Sequence, residues 1–291
     1  MPDYRATDTI EKLLSNKLKK QVKVLGSKPL SGGCINRAEC IKTSFGDFCI
    51  KFNSKKRYPG MFEAEGKGLE LLASAGAISI PEVVGAGSYE DVSFLVLEYI
   101  PAGAMVKGFW EDFGRSIAIL HSISATQFGL DHDNYIGSLG QCNTQFNSWP
   151  HFFIKHRLEP QVRMANISNS TKDMFEQLYA RIGSLFPDEP PALLHGDLWS
   201  GNYMVGPDGK PVIIDPAVYY GNREMDLGMT RLFGGFDSAF YTAYNEEYPL
   251  EPGWEDRMDI CNLYPLMVHV NLFGGGYLAQ VQSILSRVLF L

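Results

Sequence analysis

Hydrophobic and polar positions divide the first hundred residues into a helix and a series of strands. An amphipathic pattern near residues 8–20 predicts a helix, with Asp8 and Glu11 at the spacing of a capping box. Residues 60–75 follow a second helical pattern, which Gly76 would end. Runs of β-type residues predict strands at VKVLGSKPL, NRAECIKT, FGDFCIKF, PEVVGAG and DVSFLVLEYI. The order indicates a five-stranded sheet with one internal helix.

The pattern changes at residues 101–103, where Pro-Ala-Gly predicts a hinge. Beyond it lie the helical segments FWEDFGRSIAILHSIS, NSWPHFFIKHRLEPQ and TKDMFEQLYARIGSLF, and the chain is again helical from about Met225. Two short strands, near NYMVG and PVIID, interrupt them. We therefore predict an α+β fold of two lobes, with the sheet in residues 1–101 and a mostly helical lobe in residues 102–291.

Composition narrows the class of protein. A formal net charge of −7 argues against non-specific binding to nucleic acid. Residues 1–101 hold 14 basic and 12 acidic residues, so their charge favours an anionic ligand more than the acidic remainder does. The N-terminus has no secretory pattern, no apolar run is long enough to span a membrane, and the five cysteines include no Cys-x-x-Cys pair. These features predict a cytoplasmic protein with reduced thiols and no membrane partner.

The stretch HGDLWSGN is the first candidate for chemistry. Asp197 precedes Asn202 by five positions, and Asp215 ends the following strand PVIID. A phosphoryl-transfer site needs a carboxylate to accept the acceptor hydroxyl's proton and oxygen ligands for Mg²⁺, which this set can supply. Taken alone, the three residues are equally compatible with a capping aspartate, a turn asparagine and a strand-end aspartate that meet by chance.

A lysine in the middle of an apolar strand strengthens the case for phosphoryl transfer. Lys51, in FCIKF, needs an anionic partner or a route to solvent. Glu65 lies on the apolar stripe of the following helix, whereas Glu63 lies on its polar face, so Glu65 is the expected partner. A lysine–glutamate pair of this kind holds ATP phosphates in kinase folds.

Two backbone features complete a nucleotide site. Gly32 and Gly33, in LSGGCIN, form a turn between strands, where main-chain amides can approach phosphates, although a plain hairpin turn is the commoner use of such glycines. The last predicted strand of the sheet ends LEYIP. Its position offers the Glu98 carbonyl and the Ile100 amide to the edge of an adenine.

Together these parts resemble the small-molecule branch of the protein-kinase-like fold, to which aminoglycoside phosphotransferases and choline kinases belong. More closely, the chain resembles the fructosamine (ketosamine) 3-kinase family. The segments SGGCIN, QFGLDHDNYIGSLGQCN, HGDLWSGN and IIDPAVYYGNREMDLGMTRLFGGF carry that resemblance, which covers nearly the whole chain. It implies a two-lobed fold with a five-stranded antiparallel sheet in the N-terminal, ATP-binding lobe and a helical C-terminal lobe for catalysis and substrate binding.

The resemblance also implies roles for the residues that match the motifs. Asp197 would be the base, Asn202 and Asp215 would be the Mg²⁺ ligands, and Lys51 with Glu65 would clamp the phosphates of ATP.

Supporting roles follow in the same way. Gly32 and Gly33 would cover the phosphates, and His195 and Asp226 would brace the loop of the base. Trp199 would lie at the mouth of the site, where stacking on the substrate and simple packing are both open.

The implied reaction is ATP-dependent phosphorylation of the 3-hydroxyl of a ketosamine, a sugar attached to a lysine or another protein amine. Phosphate on that oxygen makes it a better leaving group, so the adduct can eliminate and release the amine. The sequence leaves open whether a fructosamine, ribulosamine or erythrulosamine is preferred, whether the adduct is free or on a protein, and whether the protein is a monomer or a dimer.

Two alternatives remain: a kinase of the aminoglycoside or choline type, and a nucleotide-binding pseudokinase. An acidic cluster that could face a cationic ligand keeps the first alternative open, although a solvated loop between helices is the better explanation of it (Glu246, Glu247, Glu251, Glu255, Asp256 and Asp259). Cys34, in the glycine turn, is a candidate for oxidation that would impair ATP binding, although a small residue that fills the turn explains it at least as well.

Overall fold

The computed structural model describes residues 4–30 and 36–289. Its helices are α1 (Tyr4–Leu18), α2 (Met61–Ser74), α3 (Phe109–His121), α4 (Trp149–Phe152), α5 (Glu159–Met164), α6 (Asn169–Arg181), α7 (Glu224–Leu232), α8 (Ser238–Glu247), α9 (Trp254–Phe273) and α10 (Tyr277–Leu289). A π-helical turn (Phe153–Leu158) joins α4 to α5, and a 3₁₀ turn (Ile182–Ser184) follows α6.

The strands are β1 (Val24–Pro29), β2 (Arg37–Thr43), β3 (Gly46–Ser54), β4 (Val83–Tyr89), β5 (Val92–Glu98), β6 (Asn134–Ile136), β7 (Leu139–Gln141), β8 (Ala192–Leu194), β9 (Tyr203–Val205), β10 (Pro211–Ile213) and β11 (Tyr219–Gly221). The first five form an antiparallel sheet in the order β1-β2-β3-β5-β4. This sheet and the helices that follow confirm the α+β prediction.

Strand alternation gives the five-stranded sheet two different faces. Ile50, Phe94 and Val96 point to one face and form a buried core with Ile10 and Leu14 of α1. Neighbouring residues of the same strands, among them Lys51 of β3, therefore point to the other face. The helix α2 lies there, because its Gly66 comes close to side chains of β4 and β5.

The start of α1 differs from the prediction. The helix begins at Tyr4, so Asp8 and Glu11 lie inside it and the predicted capping box is wrong. The Glu11 carboxylate instead accepts hydrogen bonds from the Lys23 ammonium at 2.7 Å and from the Val24 amide at 2.8 Å. Glu11 thus ties the helix to the first strand of the sheet, a contact that the local sequence pattern does not reveal.

The chain forms two compact units, and the first is built from two separate segments, residues 1–109 and 203–216. The β9–β10 hairpin belongs to it because the Gly103 amide bonds the Val205 carbonyl at 2.9 Å and the Ile213 amide bonds the Ser79 carbonyl at 3.1 Å. The predicted hinge at residues 101–103 is therefore bound to this hairpin. The sequence predicts a single boundary at residue 101 and does not anticipate this return of the chain.

The second unit, residues 110–202 and 217–291, is mostly helical. Its α7 is buried almost throughout and packs on α9 at Gly228, whose carbonyl accepts a hydrogen bond from Asn262 Nδ2 at 2.9 Å. Two small antiparallel pairs, β6–β7 and β8–β11, lie beside the helices. Across the described residues, none of the helices has the length and apolar character needed to cross a bilayer.

A glycine substitution tests the contact between linker and hairpin. A Cβ at Gly103 would lie 2.0 Å from the Gly206 carbonyl oxygen, whereas one at Gly26 would meet nothing within 4 Å. We expect Gly103→Ala to lower the free energy of unfolding by about 1–3 kcal/mol, because the two backbones must separate. Gly26→Ala is the control and should change it by less. Equal urea-unfolding midpoints for the two variants would contradict the contact.

Candidate active site

Lys51 occupies the centre of a charged cluster in the first unit. Its side chain is only 7 % exposed, and Nζ makes ion pairs with Glu65 of α2 and with Asp215, whose Oδ1 lies 2.6 Å away. The pairing with Glu65 confirms the sequence prediction, and Glu63 is exposed as expected. The contact with Asp215 was not predicted, because nothing local in the sequence connects β3 with the end of β10.

One ammonium shared by two carboxylates determines the protonation of the cluster. Burial alone would lower the pKa of Lys51, but the charges of Asp215 and Glu65 outweigh it and hold that pKa above its usual value. Burial raises the pKa of Glu65, and the Asp215 charge adds to this, while Lys51 opposes it. Lys51 therefore stays charged, and with one ammonium against two carboxyl groups the formal charge of the cluster is −1.

Asp215 has an uncommon backbone conformation. It follows β10 with φ of +56°, a left-handed value that costs a residue with a Cβ on the order of 1 kcal/mol. Its side chain is 39 % exposed, more than either partner in the cluster. Such strain is kept where the surrounding structure fixes it, and it marks Asp215 as a candidate functional residue.

The loop from His195 to Asn202 lies in the second unit and is held by its own hydrogen bonds. Asn202 Nδ2 donates to Asp197 Oδ2 at 2.9 Å and to the Asp197 carbonyl at 2.8 Å. The Trp199 amide bonds the same carbonyl at 3.1 Å, and the Asn202 amide bonds the Trp199 carbonyl at 2.9 Å. The loop therefore brings together Asp197 and Asn202, and one amide group fixes the orientation of the carboxylate.

His195 is fully buried at the start of this loop. Its Nδ1 lies 3.2 Å from the Asp197 backbone nitrogen, which donates to it. The ring therefore contacts the main chain of the loop, a position suited to supporting the loop.

Asp226, in α7, holds the same loop through its backbone amides. Its carboxylate accepts hydrogen bonds from the His195 amide at 2.7 Å and from the Gly196 amide at 2.9 Å, and it contacts His121 Nε2 at 3.2 Å. Burial alone would raise the pKa of Asp226, but the hydrogen bond and charge of His121, the charge of His195 and the Gly196 amide together lower it. Sequence reasoning missed His121, which ends α3 and bonds the Tyr244 hydroxyl at 2.9 Å.

Trp199 is enclosed by neighbours of its own unit. Its ring lies 6.0 Å from the Phe233 ring, edge to face, and a Cβ at Gly201 would approach the indole to 2.3 Å. The glycine pair after α7 packs on the same loop, because a Cβ at Gly235 would meet Ser200 at 2.7 Å. The Trp199 ring thus has a packing role, and its intermediate exposure leaves part of it accessible.

The remaining predicted residues lie apart from these contacts or outside the description. Glu98 is the last residue of β5, and Ile100 lies two residues further on, in the linker. Gly32, Gly33 and Cys34 fall in residues 31–35, outside the described residues. In the described part of the chain, no group of three or more His, Cys, Asp or Glu side chains forms a ready-made metal site.

Comparison with known proteins identifies the family. The family model for fructosamine kinase matches residues 6–290. A probable ketoamine kinase of Synechocystis sp. is 39% identical over 284 residues, which cover 97% of this chain and 96% of that protein. A chloroplastic protein-ribulosamine 3-kinase of Oryza sativa subsp. indica is 38% identical over 278 residues, covering 93% and 80%.

Solved structures agree with the sequence comparison. The crystal structure of a "putative fructosamine-3-kinase" from Thermobifida fusca superposes with a TM-score of 0.86 at 29% identity, covering 98% of this chain and 99% of that one. The aminoglycoside phosphotransferase APH(4)-Ia shares the fold alone, with a TM-score of 0.62 at 15% identity over 96% and 98% of the two chains. The chain therefore has the protein-kinase-like fold and belongs to the fructosamine kinase family.

Proposed function

We propose that this protein transfers the terminal phosphoryl group of ATP to the 3-hydroxyl of a ketosamine. The observation that carries the proposal is the HGDLWSGN loop, in which Asn202 fixes the Asp197 carboxylate, in a chain of the fructosamine kinase family. A relative named protein-ribulosamine 3-kinase supports the class of acceptor, a sugar joined through a ketoamine to a protein amine.

Asp197 is the proposed base. Its side chain is partly exposed, and its Oδ2 is oriented by Asn202, so the carboxylate can accept the proton of a hydroxyl that reaches the loop. The acceptor oxygen then attacks the γ-phosphorus of ATP as its proton passes to Asp197, the bond from that phosphorus to the β–γ bridging oxygen breaks, and ADP leaves. In phosphoryl transfer, alignment of the acceptor and stabilisation of charge supply most of the rate acceleration, so a fixed carboxylate matters more than a strongly basic one.

Lys51 is the proposed contact to the phosphates of ATP. Its ammonium remains charged because two carboxylates flank it, and Glu65 keeps it on the face of the sheet opposite α1. Glu98 and Ile100, at the end of the sheet, are the proposed partners of the adenine through their backbone carbonyl and amide. Gly32 and Gly33 are proposed to cover the phosphates.

Asn202 and Asp215 fit Mg²⁺ in their donor chemistry. Asn202 directs its amide nitrogen to Asp197, and its carboxamide oxygen is the atom with the donor chemistry for Mg²⁺. The cluster around Asp215 has a formal charge of −1, which favours a cation beside it. Mg²⁺ commonly takes only one or two such protein ligands when phosphate oxygens complete its shell. An ion bound by either residue would neutralise charge on the phosphates during transfer.

The reaction explains why the 3-hydroxyl is the useful target. In a ketosamine, C3 adjoins the C2 carbonyl, and that carbonyl makes the protons on the carbons beside it acidic. Loss of such a proton allows the oxygen on C3 to leave by elimination. Phosphate leaves far more readily than hydroxide. The phosphorylated adduct can therefore break down and release the amine, which amounts to repair of a glycated lysine.

Aminoglycoside or choline transfer is the second candidate, and the acidic cluster of residues 246–259 gives it little support. Arg115 lies 3.6 Å from Glu246, and Arg287 lies 2.6 Å from Asp259. These partners come from the protein itself. They favour a solvated surface over a site for a cationic substrate.

An acceptor panel tests the activity and the base together. We expect ATP-dependent phosphate transfer to fructosyl-lysine or ribulosyl-lysine, and none to kanamycin or choline. Asp197→Asn should lower kcat by roughly 10²–10⁴-fold, because an amide still accepts from Asn202 but takes no proton. The exposed Asp173→Asn is the control. Transfer only to kanamycin or choline would contradict the proposed substrate, and no transfer by a protein that binds ATP would indicate a pseudokinase.

Removing the Lys51 charge tests the phosphate contact. Lys51→Met should lower kcat/KM for ATP on the order of 10²-fold, since it removes a fixed positive charge. It should also destabilise the fold, because Glu65 loses its counter-ion. Adding Glu65→Gln should recover stability without recovering activity. Lys42→Met, on an exposed lysine of the neighbouring strand, is the control. An unchanged KM and kcat in Lys51→Met would refute the assignment.

The acid dependence of stability tests Asp226 as a brace. Because its folded pKa lies below the unfolded value, Asp226 stabilises the protein above about pH 3.9, and this contribution is lost as the pH falls through the folded pKa. Asp226→Asn should therefore cost about 3 kcal/mol near neutrality, with the difference from the wild type shrinking in acid. Urea unfolding at several pH values measures it. A difference that stays constant into acid would rule out the ionised carboxylate as its source.

A further inference from the structure

The β6–β7 hairpin has no part in the function proposed above, although it lies in the family-specific segment QFGLDHDNYIGSLGQCN. Its ends carry Asn134 and Gln141, which are 7 % and 2 % exposed. Buried amide side chains are costly unless each polar atom has a partner. Their hydrogen bonds show what the hairpin holds in place.

Gln141 is hydrogen-bonded at both ends of its amide. Its Nε2 donates to Asn134 Oδ1 at 2.8 Å and to the Ala217 carbonyl at 3.1 Å. Its Oε1 accepts from the hydroxyl of Tyr264, in α9, at 2.7 Å. Burial raises the pKa of that hydroxyl, so it remains a donor. The amide therefore has a single orientation, with its nitrogen facing Ala217.

A buried arginine, Arg157, anchors the two residues that follow the hairpin. Arg157 lies 3.9 Å from the centre of the Tyr219 ring and donates to Asn143 Oδ1 at 2.7 Å and to the Cys142 carbonyl at 2.8 Å. Both of these acceptors immediately follow Gln141 in the chain. The position of Gln141 is thus fixed by its own bonds and by the residues next to it.

Ala217 connects this network to the loop of the base. Its amide donates to the His195 carbonyl at 2.9 Å. Its carbonyl oxygen, the atom that Gln141 holds, lies so close to Gly196 that a Cβ there would approach it to 2.0 Å. Gly196 has φ of +83° and directly precedes Asp197. A shift of Ala217 would therefore move the backbone of the two residues that precede Asp197.

We propose that Gln141 is a positioning residue for Asp197, acting through Ala217 and the His195–Gly196 backbone. This inference rests on the proposed function, because it assigns Gln141 to the same reaction. Gln141 is 2 % exposed, so its side chain acts on the reaction through its neighbours. Its effect should appear in the rate of transfer and not in ATP binding, since a displacement of about 1 Å at a reacting group can cost about 10²-fold in rate.

A pair of equally buried glutamines supplies the test. Gln141→Met keeps the length of the side chain but removes its hydrogen bonds. Gln161→Met makes the same change at a side chain that is 3 % exposed and bonds Asn271 in the same unit. We expect Gln141→Met to lower kcat about 10- to 100-fold with KM for ATP unchanged. Gln161→Met should lose similar thermal stability and keep kcat.

Tyr264→Phe serves as the second variant if Gln141→Met folds poorly, because it removes only the donor that orients the Gln141 amide. It should lower kcat in the same direction but less. The double variant should be no slower than Gln141→Met alone, since both changes act on one path. Additive losses in the double variant would overturn the path through Gln141.

Failure of this inference is distinguishable from failure of the proposed function. If the wild type phosphorylates no ketosamine, the proposed function is wrong. If the wild type is active and Gln141→Met keeps its kcat, or loses no more than Gln161→Met, Gln141 has only a structural role and the inference is wrong.

Discussion

The charge of one buried lysine organises the first unit. Lys51 lies on a sheet face where it has little contact with water, so it must be neutralised by the protein. The two carboxylates that do so come from a helix and from a hairpin far along the chain, and both are thereby held against the sheet. One ammonium faces two carboxyl groups, so the formal charge of the cluster is −1, which favours a further cation beside it. A structural requirement of the fold thus places these charges where we propose that ATP and Mg²⁺ bind.

The second unit solves a different problem, that of holding an irregular loop still. Here a buried anion, Asp226, accepts two successive backbone amides from His195 and Gly196. Because these contacts are made to main-chain atoms of the loop, the surrounding side chains matter chiefly for not displacing that backbone. Gly196 shows this limit, since any larger residue would collide with Ala217. The resulting rigidity suits a reaction that depends on alignment more than on strong acid–base chemistry.

The sequence predicts contacts that local periodicity governs and misses those that the tertiary fold creates. Lys51 and Glu65 are fourteen residues apart, and the helical stripe was enough to choose Glu65 over Glu63. His121 and Asp226 are separated by 105 residues, and a single histidine at the end of a helix gives no signal of its partner. The capping box failed for a different reason: the helix begins at Tyr4, before Asp8, and Glu11 bonds the Val24 amide of the first strand. Likewise, the sequence does not predict the short β6–β7 pair, whose buried amide side chains bond the carbonyls of Ala217 and Val218.

The two-segment construction of the first unit has a consequence for how the protein is made. Its sheet is complete by residue 98, but the strand that bonds Ser79 is not synthesised until residues 211–213. A growing chain on the ribosome must therefore carry an unfinished first unit while much of the second emerges. During that interval Val212 and Ile213, which are apolar and buried in the finished protein, have not yet packed on the part of the first unit around Ser79. Slow translation or early termination in this stretch would leave an incomplete surface for chaperones to protect.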